Sequence, residues 1–133
     1  MSTGMDGERI LDTNATIAYM LGNTSLRELV AEGPRLLLST IVLGELYYGA
    51  YNSTRVDKNL ANIESLIERS TLVVSDAATA NVYGQIKHHL RSKGRPIPEN
   101  DLWLAAIAKR FGFVLVSRDR HFSHVDGLAV ETW

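Results

Sequence analysis

Short apolar runs alternate along the chain with longer stretches in which apolar positions recur every three or four residues. Residues 9–11 (RIL), 36–39 (LLLS), 71–74 (TLVV) and 113–116 (FVLV) are brief and lack polar alternation, the pattern of strands buried on both faces. Helices are predicted between them. From Ser25 to Gly33, Leu26, Leu29 and Val30 follow a helical period, Ser25 and Glu28 stand at capping-box separation, and Gly33 is a natural stop. Ser39 or Thr40 opens a helix over TIVLGELYYGAY, and Val56, Leu60, Ile63, Leu66 and Ile67 mark another across residues 55–69. A long helix opened by Ser75 or Asp76 runs towards Gly94. The breaker RPIP then precedes a last helix, from Asn100 to Gly112. Strands joined by helices predict a three-layer α/β/α domain around a central, mostly parallel sheet. The stretch LAVETW, residues 128–133, adds an edge strand.

The chain has 133 residues, 45% of them apolar, enough for one substantial core. Residues 9–133 read as a single domain and residues 1–8 as a flexible leader. A formal net charge of -1 argues against a protein that coats nucleic acid by bulk positive charge, but leaves room for an enzyme that acts on it. The absence of cysteine removes disulfides, thiolate zinc sites and cysteine nucleophiles. MSTGMDGERI lacks the basic and apolar segments of a secretory signal, which makes the cytoplasm the expected compartment. The most apolar stretch, RLLLSTIVLGELYYG, is interrupted well short of the roughly 18 to 20 apolar residues of a membrane span.

Acidic residues change the picture. Asp12 follows the first predicted strand in ILDTN, and Asp119 follows the fourth in LVSRD. The carboxyl ends of strands in an open parallel sheet line the crevice where ligands collect, so these acids are expected to face each other from neighbouring strands. Glu45 stands among apolar neighbours in IVLGELYYG and needs a cation or hydrogen-bond donors there. Asp101 opens the helix after RPIPEN. Each acid alone has an ordinary explanation: a helix cap for Asp12, a helix-dipole partner for Asp101, a solvated helix face for Glu45, a turn for Asp119. Together, unneutralised, they would raise one another's pKa, and a divalent cation relieves that repulsion. Oxygen ligands suit Mg²⁺, with Mn²⁺ as a substitute, and such ions support hydrolysis of a phosphodiester.

The pieces ILDTN, STIVLGELYYGA and IPENDLWLAAIAKRFGFVLVSRDRHF, in this order, resemble the PIN-domain nucleases and, within them, the VapC-type toxins of bacterial toxin–antitoxin pairs. The resemblance spans residues 9–133. It implies a Mg²⁺-dependent endoribonuclease, usually a homodimer, held inactive by a co-encoded antitoxin. It assigns Asp12, Glu45, Asp101 and Asp119 to the family's acidic quartet, both catalytic and metal-binding, and Asn14 and Ser117 to supporting polar positions. Arg118 and Arg120 flank Asp119 and either contact the scissile phosphate or balance the acids. The first two helices, TNATIAYML and SLRELVAE, carry Ile17, Tyr19, Met20, Leu21, Leu26 and Leu29, more apolar side chains than one sheet face readily buries. Some of these line a groove for an antitoxin peptide, or else belong to the core or to a homodimer seam.

Other chemistries fit less well. His88, His89, His121 and His124 lie in two separate segments and match no helical zinc motif. The run KHHLRSKGRP is either a guide for a phosphate backbone or a solvated helix end. No phosphate-binding glycine loop and no nucleophile elbow are present. An α/β phosphoacceptor domain would want adjacent acids after the first strand, and this chain has one. A PIN-fold scaffold that binds RNA without cutting it is the nearer alternative, and the complete quartet counts against it.

Overall fold

The computed structural model describes residues 7–133; residues 1–6, most of the segment read as a leader, lie outside the described residues. Eleven regular elements follow in chain order: β1 (Arg9–Leu11), α1 (Thr13–Met20), α2 (Thr24–Glu32), β2 (Leu36–Ser39), α3 (Thr40–Tyr51), α4 (Val56–Glu68), β3 (Ser70–Val73), α5 (Ala77–Ser92), α6 (Glu99–Phe111), β4 (Val114–Val116) and β5 (Val130–Glu131). A short 3₁₀ turn, Arg120–His124, lies between β4 and β5. The strands form one sheet in the order β3-β2-β1-β4-β5, with every pairing parallel. Helices cover it, as the unbroken apolar strands require. Among the described residues no helix is long and apolar enough to cross a membrane.

The strand order reverses at β1: the chain moves outward through β2 and β3 on one side, then returns to β4 and β5 on the other. In register, Leu11 lies opposite Val116, so the residues that leave the two strands, Asp12 and Ser117, emerge side by side. Such a switch point opens a crevice between crossover connections, where parallel sheets place their chemistry. Beneath it Ile10, Leu11, Leu37, Leu38, Leu115 and Val116 form the buried floor. Leu104–Ala108 of α6 is buried without a break, because the small Ala105, Ala106 and Ala108 let that helix sit close among its neighbours.

Caps explain most element boundaries, and several differ from the sequence reading. Asn23, rather than Ser25, caps α2, since its side-chain oxygen accepts the Leu26 N–H at 3.0 Å; the predicted capping box does not form. The α3 cap is Ser39, the last residue of β2, whose hydroxyl accepts from Ile41 and Val42 at 3.0 and 3.2 Å. Ser39 is fully buried, so Ser39→Ala is expected to cost about 1 kcal/mol in urea unfolding, a typical value for a lost cap. The third strand begins one residue early, at Ser70, and Val74 is exposed. The fourth begins one residue late, because the Phe113 N–H turns back to Ala108 at 2.8 Å around Gly112. Gly112 has φ 75°, a left-handed conformation that favours glycine at a helix end. Gly7 and Glu8 also meet the sheet: Gly7 N–H donates to Gly112, the Glu8 carbonyl accepts from Val114, and the Glu8 carboxylate pairs with Arg35 at 3.2 Å.

Candidate active site

Asp12 is placed by two bonds made in opposite directions. One carboxylate oxygen caps α1 by accepting the Ala15 N–H at 2.8 Å; the other accepts the Ser117 hydroxyl in a short hydrogen bond. The same Ser117 oxygen accepts the Asp119 N–H at 2.9 Å. One buried serine therefore ties the end of β1 to the segment leaving β4, and fixes Asp12 relative to the Asp119 backbone. The capping explanation for Asp12 and the site explanation are both true, because they use different oxygens.

Glu45 projects from the second turn of α3, where its Oε1 accepts the Thr13 hydroxyl at 2.9 Å. This donor meets the need created by its apolar surroundings. Asn14, the residue expected to support the acids, is exposed, and among the described residues its side chain makes no hydrogen bond. Asp101 lies in the first turn of α6 and accepts no hydrogen bond among the described residues. Its pKa is raised to about 6, first by burial and then by the nearby charges of Asp119, Glu45 and Asp12, against an opposing effect from His121. Asp12 is also raised, chiefly by burial, against the lowering effect of its Ser117 and Ala15 bonds. All four acids thus share one electrostatic field.

Their contact is tighter in one part of the site. Ligand atoms of Asp101, Asp119 and His121 lie within 4.8 Å of one another, and the His121 Nδ1 is 3.0 Å from Asp119 Oδ1. Two oxygen donors and an imidazole, with two further carboxylates nearby, fit a hard or borderline divalent cation and suit a soft one poorly. The repulsion that raises Asp101 is what such an ion offsets.

The flanking cations take different places. Arg118 lies 3.6 Å from the centroid of the Trp133 ring and donates to the Trp133 main-chain oxygen at 2.5 Å. Arg120 is exposed and forms no ion pair among the described residues. The basic run at the end of α5 is partly matched by acids: Lys87 pairs with Glu99, and His89 and Lys93 pair with Asp126. Beside Glu45 a recess of about 600 Å³ is lined by Thr13, Thr40, Ile41, Gly44, Tyr48 and Asn100, with Tyr48 74% exposed. On the far side of α3, Ile17, Met20, Leu21, Leu46, Ala50 and Ile63 form the apolar part of a groove of about 430 Å³ that Asn59, Asn62, Ser65 and Arg69 also line. Of the apolar residues expected in the first two helices, Tyr19 and Leu26 are core, whereas Ile17 and Leu21 are 41% and 84% exposed.

Thr13 and His121 were not picked out as site residues from the sequence. The signal for Thr13 is its place directly after Asp12; for His121 it is the Asp-x-His spacing, which matters only once the 3₁₀ turn folds the ring back.

A parallel sheet with acids gathered at its switch point matches the family described as PIN domain over residues 9–128. The tRNA(fMet)-specific endonuclease VapC of Shigella flexneri is 36% identical over 128 residues, covering 93% of this chain and 96% of that protein. The crystal structure of DNA-bound VapBC from Salmonella typhimurium superposes with a TM-score of 0.89 at 33% identity, covering 96% of this chain and 98% of that one. VapBC-5 of Mycobacterium tuberculosis, a member of the VapBC family of toxin–antitoxin systems, gives 0.72 at 26% identity, over 95% of this chain and 97% of that one. The chain belongs to the PIN-domain family and, within it, to the VapC ribonucleases.

Proposed function

We propose that this protein is a divalent-metal-dependent endoribonuclease and the toxin of a toxin–antitoxin pair. The observation that carries the reading is the convergence of Asp12, Glu45, Asp101 and Asp119 at the switch point, by the carboxyl ends of β1 and β4, in a chain of the VapC family. In this reading Asp101 and Asp119 hold Mg²⁺ or Mn²⁺, while Asp12 and Glu45 complete the negative field. When bound, the ion supplies Lewis acidity and lowers the pKa of water for in-line hydrolysis of the phosphodiester. Ser117 keeps Asp12 aimed into the site, and the Thr13 hydroxyl does the same for Glu45. Family membership displaces the phosphoacceptor alternative, and four intact acids favour cleavage over an RNA-binding scaffold.

RNA reaches the acids through the recess beside Glu45, where the exposed Tyr48 ring offers a stacking surface for a base. Among the described residues Arg120 is a cation of the rim without an ion pair, whereas Arg118 is occupied by Trp133. Arg120→Ala is therefore expected to weaken binding to a single-stranded RNA and to reduce the slope of log affinity against log salt by about 0.7. Fluorescence anisotropy across a salt series reads both quantities. Arg118→Ala is expected to leave that slope nearly unchanged.

The antitoxin segment, in the same reading, lays apolar side chains along the groove lined by Ile17, Leu21 and Ile63, and sends an arginine to the acids. The homodimer is likewise proposed from the family and is tested by analytical ultracentrifugation. Expression without the neighbouring gene product is expected to arrest growth, and Asp12→Ala to relieve the arrest. If wild type and variant prove equally harmless, the toxin role is wrong.

A further inference from the structure

We infer that the imidazole of His121 is a ligand to the ion held by Asp101 and Asp119, and that it shifts the preference of the site from Mg²⁺ towards Mn²⁺. The inference rests on the metal-dependent reading above and adds to it a residue outside the acidic quartet. The backbone places His121 deliberately. Asp119 Oδ1 accepts the His121 N–H at 2.9 Å and thereby caps the 3₁₀ turn. The next residue, Phe122, is 1% exposed and anchors the turn in the core. The ring that results is about half exposed, with its Nδ1 facing the same carboxylate. Ligand atoms of His121, Asp119 and Asp101 fall within 4.8 Å of one another. Two donors on one ion, at bond lengths of about 2.1 Å, stand at most about 4.2 Å apart, so these side chains need only a small closing movement.

A second histidine–aspartate pair shows what His121 has and His89 lacks. His89 meets Asp126 at 2.8 Å, but Lys93 already neutralises that acid from the other side. At His121 a second carboxylate, Asp101, takes the place of the lysine and accepts no hydrogen bond among the described residues. Three donors with two negative charges call for a cation rather than for one more proton-bearing side chain. An all-oxygen set suits Mg²⁺, which keeps most of its waters, whereas an imidazole nitrogen is a ligand that first-row transition ions accept more readily.

Manganese itself supplies the probe. Mn²⁺ is added to the purified protein near pH 8, where an ordinary imidazole is neutral, and ¹⁴N modulation of the electron spin echo reports a directly bound nitrogen. The wild type is expected to show that modulation, and His121→Gln and His121→Ala to lose it. Calorimetric titration is expected to give about tenfold weaker Mn²⁺ binding in both variants, with Mg²⁺ binding changed by less than about threefold. Unchanged melting of the metal-free variants would show that the fold is intact. Should Mn²⁺ bind the wild type without nitrogen modulation, or should both ions weaken equally in the variants, His121 only pairs with Asp119 and the inference is overturned. If neither ion binds the wild type saturably, the metal-dependent reading itself fails, and this inference with it.

Discussion

Asp101→Asn is expected to lower kcat/KM for RNA cleavage by on the order of a hundredfold or more, the scale of removing one electrostatic element from an active site. Asp101 is the acid most exposed to the combined field of the others: burial, Asp119, Glu45 and Asp12 all push its pKa upward. It belongs to the tightest group of ligand atoms, yet accepts no hydrogen bond among the described residues. Asparagine keeps its shape and removes its charge. The loss should therefore fall on ion binding and catalysis while the fold survives, since a first-turn acid on a helix is worth only about 0.3–1 kcal/mol. Circular dichroism and calorimetric Mg²⁺ titration separate the two effects. Cleavage within a few-fold of wild type would remove Asp101 from the machinery.

The same substitution is expected to stabilise the metal-free protein above about pH 6, although it inactivates the enzyme. The sign follows from linkage. In the folded chain Asp101 has a pKa raised from 3.8 to about 6, so between these values the folded state binds more protons than the unfolded state. Unfolding free energy then falls as pH rises through that window. Below it the group contributes no difference; above it the full penalty of holding a charge there is present. A shift of this size corresponds to at most about 3 kcal/mol, and solvent screening at a partly exposed position brings it to about 1–2 kcal/mol. Asp12, also raised, adds to the same trend. Urea unfolding of the metal-free wild type from pH 4 to pH 8 should show a decline that is flatter in Asp101→Asn, and saturating Mg²⁺ should reverse the decline in the wild type. Equal slopes for the two proteins would contradict the electrostatic account of the site.

Local patterns revealed most of the scaffold because the strands are buried on both faces, which leaves short uninterrupted apolar runs between amphipathic helices. Their boundaries depended on capping bonds that composition does not reveal. Ser25 and Glu28 have the spacing of a capping box, but the chain enters α2 through Asn23, whose carboxamide reaches Leu26 first. Phe113 reads as part of a strand and is buried like one, yet its N–H is spent closing α6 over Gly112. The acids could be named from their places after strands and at a helix start, since a parallel sheet gathers those ends whatever the loops do. Of their helpers, Ser117 is legible only through the family resemblance and Thr13 not at all, because Thr13 reaches Glu45 across 32 residues and Ser117 reaches Asp12 across 105. From sequence Arg118 is either a phosphate contact or a counter-charge to the acids, but the chain after the edge strand brings Trp133 against it and takes up the guanidinium. His121 has no zinc-motif spacing in the sequence, and its ring meets Asp119 only through the 3₁₀ turn.

Cleavage itself is the most direct measurement. Purified protein is incubated with an end-labelled panel of tRNA, ribosomal RNA and messenger RNA, in Mg²⁺ or in EDTA, and the fragments are resolved by length. The account predicts discrete cuts in at least one RNA that depend on Mg²⁺, vanish in EDTA, and are absent with Asp101→Asn. Cuts that persist in EDTA, or in the variant at the wild-type rate, would contradict it.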